Sequence, residues 1–280
     1  MPAADRNPRR PASGHVVGID VGGTKIAAGV VDTATGDVLE RRLVATRKER
    51  GGPAVLADCA ALAAEVAGGE LPVGIGLCEL VDLEGRPASG DTVDWRMLDV
   101  AGAFGGAAVT LEADVRAAAL AEARFGAGAG VSPFLFAIVG TGASACLVVD
   151  GVPYRGARGE ALVLGAPPVE RVAAGPALAR AAGVEHAEEV LADPARTELV
   201  ERAASELGRV LAVLVNALDP ALVVLGGGLG SAPAYCERVA RACRSLQEYP
   251  RTPPLAVVPS SLGPAGGLIG AALSAAVRGS

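Results

Sequence analysis

Aromatic residues are scarce in this sequence. Its 280 residues include four Phe, three Tyr and one Trp, so the core must be built from Ala, Val and Leu. Long apolar runs are missing too. No stretch approaches the roughly 18 uninterrupted apolar residues of a membrane span, and no membrane partner is expected. Histidine is limited to His15 and His186. The five cysteines (Cys59, Cys78, Cys146, Cys236, Cys243) are scattered, with no CxxC pair. This argues against a disulfide framework or a zinc cluster and for reduced thiols in a cytoplasmic protein. A net charge of −6 argues against a general nucleic-acid surface, while leaving room for a local anion site. Two nucleotide motifs are absent as well. GxxxxGK[ST] does not occur, and the turn at 226–230 fails GxGxxG because Ser231 stands where its last glycine should be.

The apolar segments that are present alternate between strand and helix character. Residues 1–14, MPAADRNPRRPASG, read as a disordered tail. Residues 16–31 form a hairpin around Gly22-Gly23-Thr24, and a third strand is expected at 38–45. In residues 53–67, Val55, Leu56, Cys59, Leu62 and Val66 share one helical face, and a strand follows at 71–77. The hairpin pattern recurs: strands at 134–139 and 145–149 flank Gly140-Thr141-Gly142. The spacing from Gly22 to Asp32 equals that from Gly140 to Asp150. Helices are expected at about 114–125, 196–217, 232–246 and from 265 onward, with strands at 221–225 and 255–258. Strands alternating with helices make the fold class α/β, and the repeated hairpin points to two related lobes with a cleft between them.

The first hairpin places a carboxylate, Asp20, directly before a turn of small residues. Small residues let backbone N–H groups approach an anion without obstruction by Cβ. Asp20 would repel a phosphate, yet it can hold Mg²⁺ or its waters, since Mg²⁺ sits between carboxylates and phosphate oxygens. A plain tight hairpin with the Asp capping its turn is the other reading of these residues.

DVGGTK, GTG and LGGG, in this order and spacing, resemble the ROK family of sugar kinases, over about residues 16–276. LDPALVVLGGGLG (218–230) and LGPAGGLIGAAL (262–273) are similar to that family's adenosine-side turn and closing helix. The resemblance implies the two-lobed actin-like, sugar-kinase ATPase fold, with duplicated domains of ribonuclease H type. It also implies an N-terminal lobe of residues 15–113, to which the helix 265–280 returns, and a C-terminal lobe of residues 114–264. ATP and Mg²⁺ are the implied cofactors. Gly22, Gly23, Thr24 and Lys25 from one lobe and Gly140, Thr141 and Gly142 from the other would hold the phosphates. Gly226, Gly227 and Gly228 would sit against the adenosine, and Asp20 would reach Mg²⁺ through water. The implied catalytic carboxylate is Asp114 in LEADVRAAALAE, where it would take the proton of the sugar's primary hydroxyl; a helix N-cap is its other reading. A homodimer is the family expectation.

Several acceptor-side signatures depart from the family. Its Asn before the catalytic Asp is Ala113 here, which removes an amide from the substrate position. In RGARGEALVLGAPPVERVAAG a Glu survives as Glu160, Val163 replaces a His, the cysteine cluster is missing, and Glu170 matches a later Glu. Losing the His and the cysteines together implies no structural zinc. Glu160 and Glu170 are candidates to bind sugar hydroxyls, or are solvated charges. Cys78-Glu79 replaces a Pro-Gly, so Glu79 either pairs with an amino group on a substrate or is a surface Glu after a strand. Trp95 either lines the acceptor side or packs under its loop. The leading expectation is an ATP-dependent kinase for the primary hydroxyl of glucose or a modified hexose. Beside it stand a kanosamine-like amino-sugar or C7-cyclitol kinase and a non-catalytic sugar-binding or regulatory protein. A repressor of the same fold would carry a DNA-binding segment before its first glycine turn. Only 21 residues precede Gly22, so no nucleic-acid partner is expected.

Overall fold

The computed structural model describes residues 14–68, 70–161, 167–249 and 253–278. The expected N-terminal tail lies outside them except for Gly14. The chain divides into two compact units. One holds the described residues up to Ala121, Asp150–Val152 and those from Gly267 onward; the other holds Glu122–Val149 and Pro153–Gly266.

In the first unit, β1 (His15–Val21) and β2 (Lys25–Asp32) form the antiparallel hairpin, and β3 (Val38–Ala45) adds the sheet edge. β3 carries Arg41 and Arg42 exposed and Glu40 half-buried, which discourages pairing with a foreign strand. Helix α1 (Gly52–Ala67) buries Val55, Leu56, Cys59, Leu62 and Val66 and ends at Gly68 in the left-handed conformation. After it come β4 (Val73–Leu77), the short α2 (Val100–Ala103), β5 (Val109–Ala113) and α3 (Asp114–Phe125). The sheet order is β3-β2-β1-β4-β5, with β4 parallel to both β1 and β5. Every residue of β4, VGIGL, is buried, as a parallel strand covered on both faces requires.

The second unit opens with β6 (Phe134–Val139), β7 (Ala143–Val149) and β8 (Val152–Pro153). Helices α4 (Pro167–Ala173), α5 (Gly175–Ala182), α6 (Ala187–Ala192) and α7 (Thr197–Leu218) lead to β9 (Leu222–Gly226). Then come α8 (Gly227–Gly230), α9 (Pro233–Ser245), β10 (Ala256–Pro259) and α10 (Gly266–Arg278). The sheet order is β10-β9-β6-β7-β8. Read from the other edge it repeats the first sheet: a hairpin whose first strand is central, then two parallel additions. The expected duplication is therefore a property of both sheets as well as of the hairpins. Leu207, Leu211 and Val215 of α7 pack with Val239 and Cys243 of α9 and with Val223 and Leu225 of β9 in one core.

From Gly267 onward α10 belongs to the first unit, and it lies on the backbone of that sheet. A Cβ at Gly18 would overlap the carbonyl oxygen of Leu268, and one at Gly74 that of Ala271; one at Gly270 would overlap the carbonyl oxygen of Ala117 in α3. Glycine stands at these positions because strand and helix backbones approach too closely for a side chain.

Candidate active site

The carboxyl ends of β1, β4 and β5 lie side by side. The register aligns Asp20, Gly76 and Glu112 in one row and Val21, Leu77 and Ala113 in the next. Such strand ends are where open α/β sheets bind ligands. Asp114 follows β5 as the first residue of α3, and its Oδ1 accepts the Val115 N–H at 2.6 Å. Burial pushes the Asp114 carboxyl up to about 7; the Asp20 charge adds to this and the Val115 N–H opposes it. Burial likewise pushes Asp20 up to about 6, against the opposing charge of Arg41. Both residues keep partial access to solvent. Gly267 stands directly against the Asp20 carboxylate, where a Cβ would meet its oxygens and carbon within 3.0 Å.

The β1–β2 turn is pinned from outside the hairpin. Gly22 N–H donates to the Lys25 carbonyl at 2.9 Å. The fully buried Thr46 donates its hydroxyl to the Gly22 carbonyl at 2.6 Å and its N–H to the Thr24 carbonyl at 2.9 Å. Thr24 and Lys25 are exposed and Gly22 and Gly23 partly so, leaving the tip open to a ligand. Nothing about a lone Thr after an edge strand would have singled out Thr46 in the sequence.

In the second unit, the Gly140–Gly142 turn closes with Gly140 N–H donating to the Gly142 carbonyl at 3.0 Å, and Gly175 N–H donates to the Gly140 carbonyl at 2.8 Å. Gly226 abuts the Phe136 ring, and Gly227, at φ 80°, abuts the Val139 carbonyl, so neither site admits a Cβ. The two glycine turns meet: a Cβ built on Gly140 would lie 4.0 Å from the Gly228 nitrogen. Glu188, unremarked in the sequence, stands near Gly228.

Each unit thus offers turns that a polyanion can approach closely. The first adds two carboxyls whose burial and mutual repulsion a divalent cation would relieve. The carboxyls of the first unit fit a divalent cation such as Mg²⁺, with Asp20 the residue that would hold it, and the glycine turns of each unit by itself fit phosphate. The sequence matches the ROK family over residues 16–277.

The chain belongs to the ROK family. It is 31% identical over 283 aligned residues to the bifunctional enzyme NanE/NanK of Brucella melitensis, covering 93% of this chain and 54% of that protein. It therefore spans about half the length of that curated relative. It is 30% identical over 281 residues to a polyphosphate glucokinase of Mycobacterium tuberculosis, covering 98% of this chain and 96% of that protein. Among solved structures, a ROK family glucokinase from Streptomyces griseus in complex with glucose and AMPPNP superposes with a TM-score of 0.84 at 27% identity. That superposition covers 95% of this chain and 100% of the other. The fold is the actin-like, sugar-kinase ATPase fold.

The structure corrects two sequence expectations for this ROK protein, at Ala113 and Glu79. Ala113 is fully buried as the last residue of β5, so its methyl meets no substrate. Glu79 is neither a surface residue nor available to an amine. It is 5% exposed, and its carboxylate accepts from Ser89 Oγ, from Asp91 N–H at 2.9 Å, from Thr92 N–H at 2.6 Å and from Val93 N–H at 2.8 Å. Trp95, at 1% exposure, is buried, in keeping with the second of its two readings. Glu170 meets the second glycine turn, where Oε1 accepts the Ala143 N–H at 3.0 Å and faces Gly142. Glu160 is exposed on the loop after β8 and pairs with Arg158 at 3.1 Å. The stretch in which the family carries its zinc ligands falls partly on residues 162–166, outside the described ones. Among the described residues no three His, Cys, Asp or Glu gather as a metal group, and no helix is long and apolar enough to cross a membrane.

Proposed function

We propose that this ROK protein is an ATP- and Mg²⁺-dependent kinase that phosphorylates the primary hydroxyl of glucose or a modified hexose. The observation that carries the reading is Asp114: a carboxyl at a helix start, beside Asp20, whose ionisation is held near neutral pH. A base poised there can take a hydroxyl proton as the oxygen attacks the terminal phosphate, and it can return that proton to solvent afterwards. Phosphoryl transfer depends mainly on positioning and charge stabilisation. Around Gly22 and Gly140, whose own N–H groups close their turns, Gly23, Thr24 and Lys25 and, in the other unit, Thr141 and Gly142 would offer backbone N–H groups to phosphate, and Lys25 would add a cation. Gly226–Gly228 leave room for the adenosine. Mg²⁺, when bound, would neutralise charge on the phosphate oxygens. Glu160 and Glu170 remain the candidates for acceptor hydroxyls, and Glu170 would also tie the acceptor to the second turn. A homodimer and a cytoplasmic location belong to the same proposal.

With Glu79 committed to its own loop, the specific argument for an amino-sugar or cyclitol falls away. The retained Asp114 argues against a binding-only protein, which has no use for a base there. The name of the mycobacterial relative makes inorganic polyphosphate a second donor to assay. The deciding experiment is a coupled ADP-release assay over glucose, mannose, N-acetylmannosamine, 3-amino-glucose and C7-cyclitols, run beside Asp114→Asn. Turnover on at least one hexose is expected. The variant should lose about 10²–10⁴-fold in kcat while still binding nucleotide. Near-normal turnover by the variant would remove Asp114 from its role, and no turnover by the wild type on any acceptor would sink the proposal.

A further inference from the structure

Resting on the kinase reading above, we infer that Glu79 is a positioning residue that fixes the Ser89–Val93 loop beside Asp114 and thereby sets affinity for the acceptor. A carboxylate has about four lone-pair sites. Those of Glu79 are met by the Ser89 hydroxyl and by the consecutive N–H groups of Asp91, Thr92 and Val93. The side chain is buried, so these donors take the place of its water. Three successive N–H groups converging on one carboxylate hold a stretch of backbone that belongs to no helix or strand.

The rest of the segment is tied at its other end. The buried Arg116 donates to the Val81 carbonyl at 2.6 Å and, through Nε, to Glu112 at 2.7 Å. Leu80 N–H donates to Ser89 Oγ at 2.9 Å and Ala88 N–H to the Leu80 carbonyl at 2.7 Å. What Glu79 adds is the hold on the backbone of Asp91, Thr92 and Val93. The segment starts beside the reacting carboxylate: Glu79 lies two residues beyond Leu77, which pairs with Ala113 directly before Asp114, and a Cβ on Gly76 would lie 3.7 Å from the Asp114 Cα. A hydroxyl delivered to Asp114 must pass beside this loop. The loop exposes Asp91 and half-exposes Thr92, two side chains able to hydrogen-bond a sugar. The Glu that replaces the family's Pro-Gly thus shapes the acceptor pocket from beneath, without touching the acceptor.

Trp95, the single tryptophan, lies two residues after the loop and is buried, so its emission reports this segment alone. The test compares the full-length wild type with Glu79→Gln, which keeps the shape but turns an acceptor oxygen into a donor nitrogen, and with Ser89→Ala, which removes the hydroxyl that donates to Glu79 and accepts from the Leu80 N–H. Glu79→Gln should red-shift Trp95 emission and raise the acceptor KM about tenfold or more, while the ATP KM stays within about twofold. Ser89→Ala should move the acceptor KM the same way by less. An unchanged acceptor KM in Glu79→Gln, or equal rises in both KM values, overturns the inference. If Glu79→Gln does not fold, an unchanged acceptor KM in Ser89→Ala overturns it. Absence of wild-type turnover would count against the kinase reading alone. The comparison then moves to quenching of Trp95 on titration with glucose, mannose and N-acetylmannosamine, where about tenfold weaker binding by Glu79→Gln is expected. Equal affinities, or no sugar response in any protein, overturn the inference.

Discussion

Asp20 and Asp114 each sit in surroundings that resist their charge, and this gives the protein a calculable response to pH. An Asp in an unfolded chain titrates near 3.8, whereas in the folded protein Asp20 is pushed up to about 6 and Asp114 up to about 7. Between those limits the folded chain keeps protons that the unfolded chain has released. Stability contributed by these groups is therefore full below about pH 4, falls as pH rises toward about 7, and levels off above. In metal-free buffer the urea midpoint should be higher at about pH 5 than at about pH 8. Asp114→Asn, which cannot ionise, should flatten the upper part of that slope; an unaltered slope would contradict the assignment. Other residues were opaque to the sequence for a shared physical reason. Glu79 reads as a surface charge because three of its four partners are backbone N–H groups 12 to 14 positions away, and backbone groups carry no sequence signature. Thr46 and Gly267 are hidden in the same way, since each acts on a turn or carboxylate from a distant segment.

Among the elements, helix α10 makes the sharpest demand on residue type. Gly270 meets the Ala117 carbonyl in α3, and Gly18 and Gly74 meet carbonyls of α10 itself, so added carbon has nowhere to go. Gly270→Ala should lower stability by about 2 kcal/mol, read as a drop in the urea midpoint with an unchanged slope. An exposed control, Ala103→Gly in α2, should change it far less. Periodic elements were legible to within a residue or two. The helix face of α1, the hairpins and the run of α7 all follow from apolar spacing. The exceptions have two causes. β5, VTLEA, breaks the apolar pattern because Glu112 turns inward to pair with Arg116. The helices α4, α5 and α6 are too short, and too interrupted by Pro and Gly, to show a period. Strands whose polar residues have buried partners, and helices of two turns, lie beyond what spacing can reveal.

For the molecule as a whole, stability is expected to need no metal and no disulfide. The five cysteines are free, and Cys59, Cys146, Cys236 and Cys243 are buried. EDTA and dithiothreitol should therefore leave the melting temperature unchanged within about 1 °C. EDTA should abolish turnover, with Mg²⁺ restoring it; a large fall in melting temperature with EDTA would reveal a structural metal. The way the units are divided along the chain also bears on synthesis. The second unit is nearly continuous, running from Glu122 to Gly266 with one short interruption, whereas the first draws on residues from Gly267 onward. A growing chain on the ribosome can close the second sheet while one face of the first still waits for its covering helix. Completion of the first unit is therefore expected to follow that of the second, against the usual vectorial order in which the N-terminal part matures first. Until residues 266–278 emerge, Gly18 and Gly74 lie bare on β1 and β4, and chaperone contact in that interval should centre on those two strands.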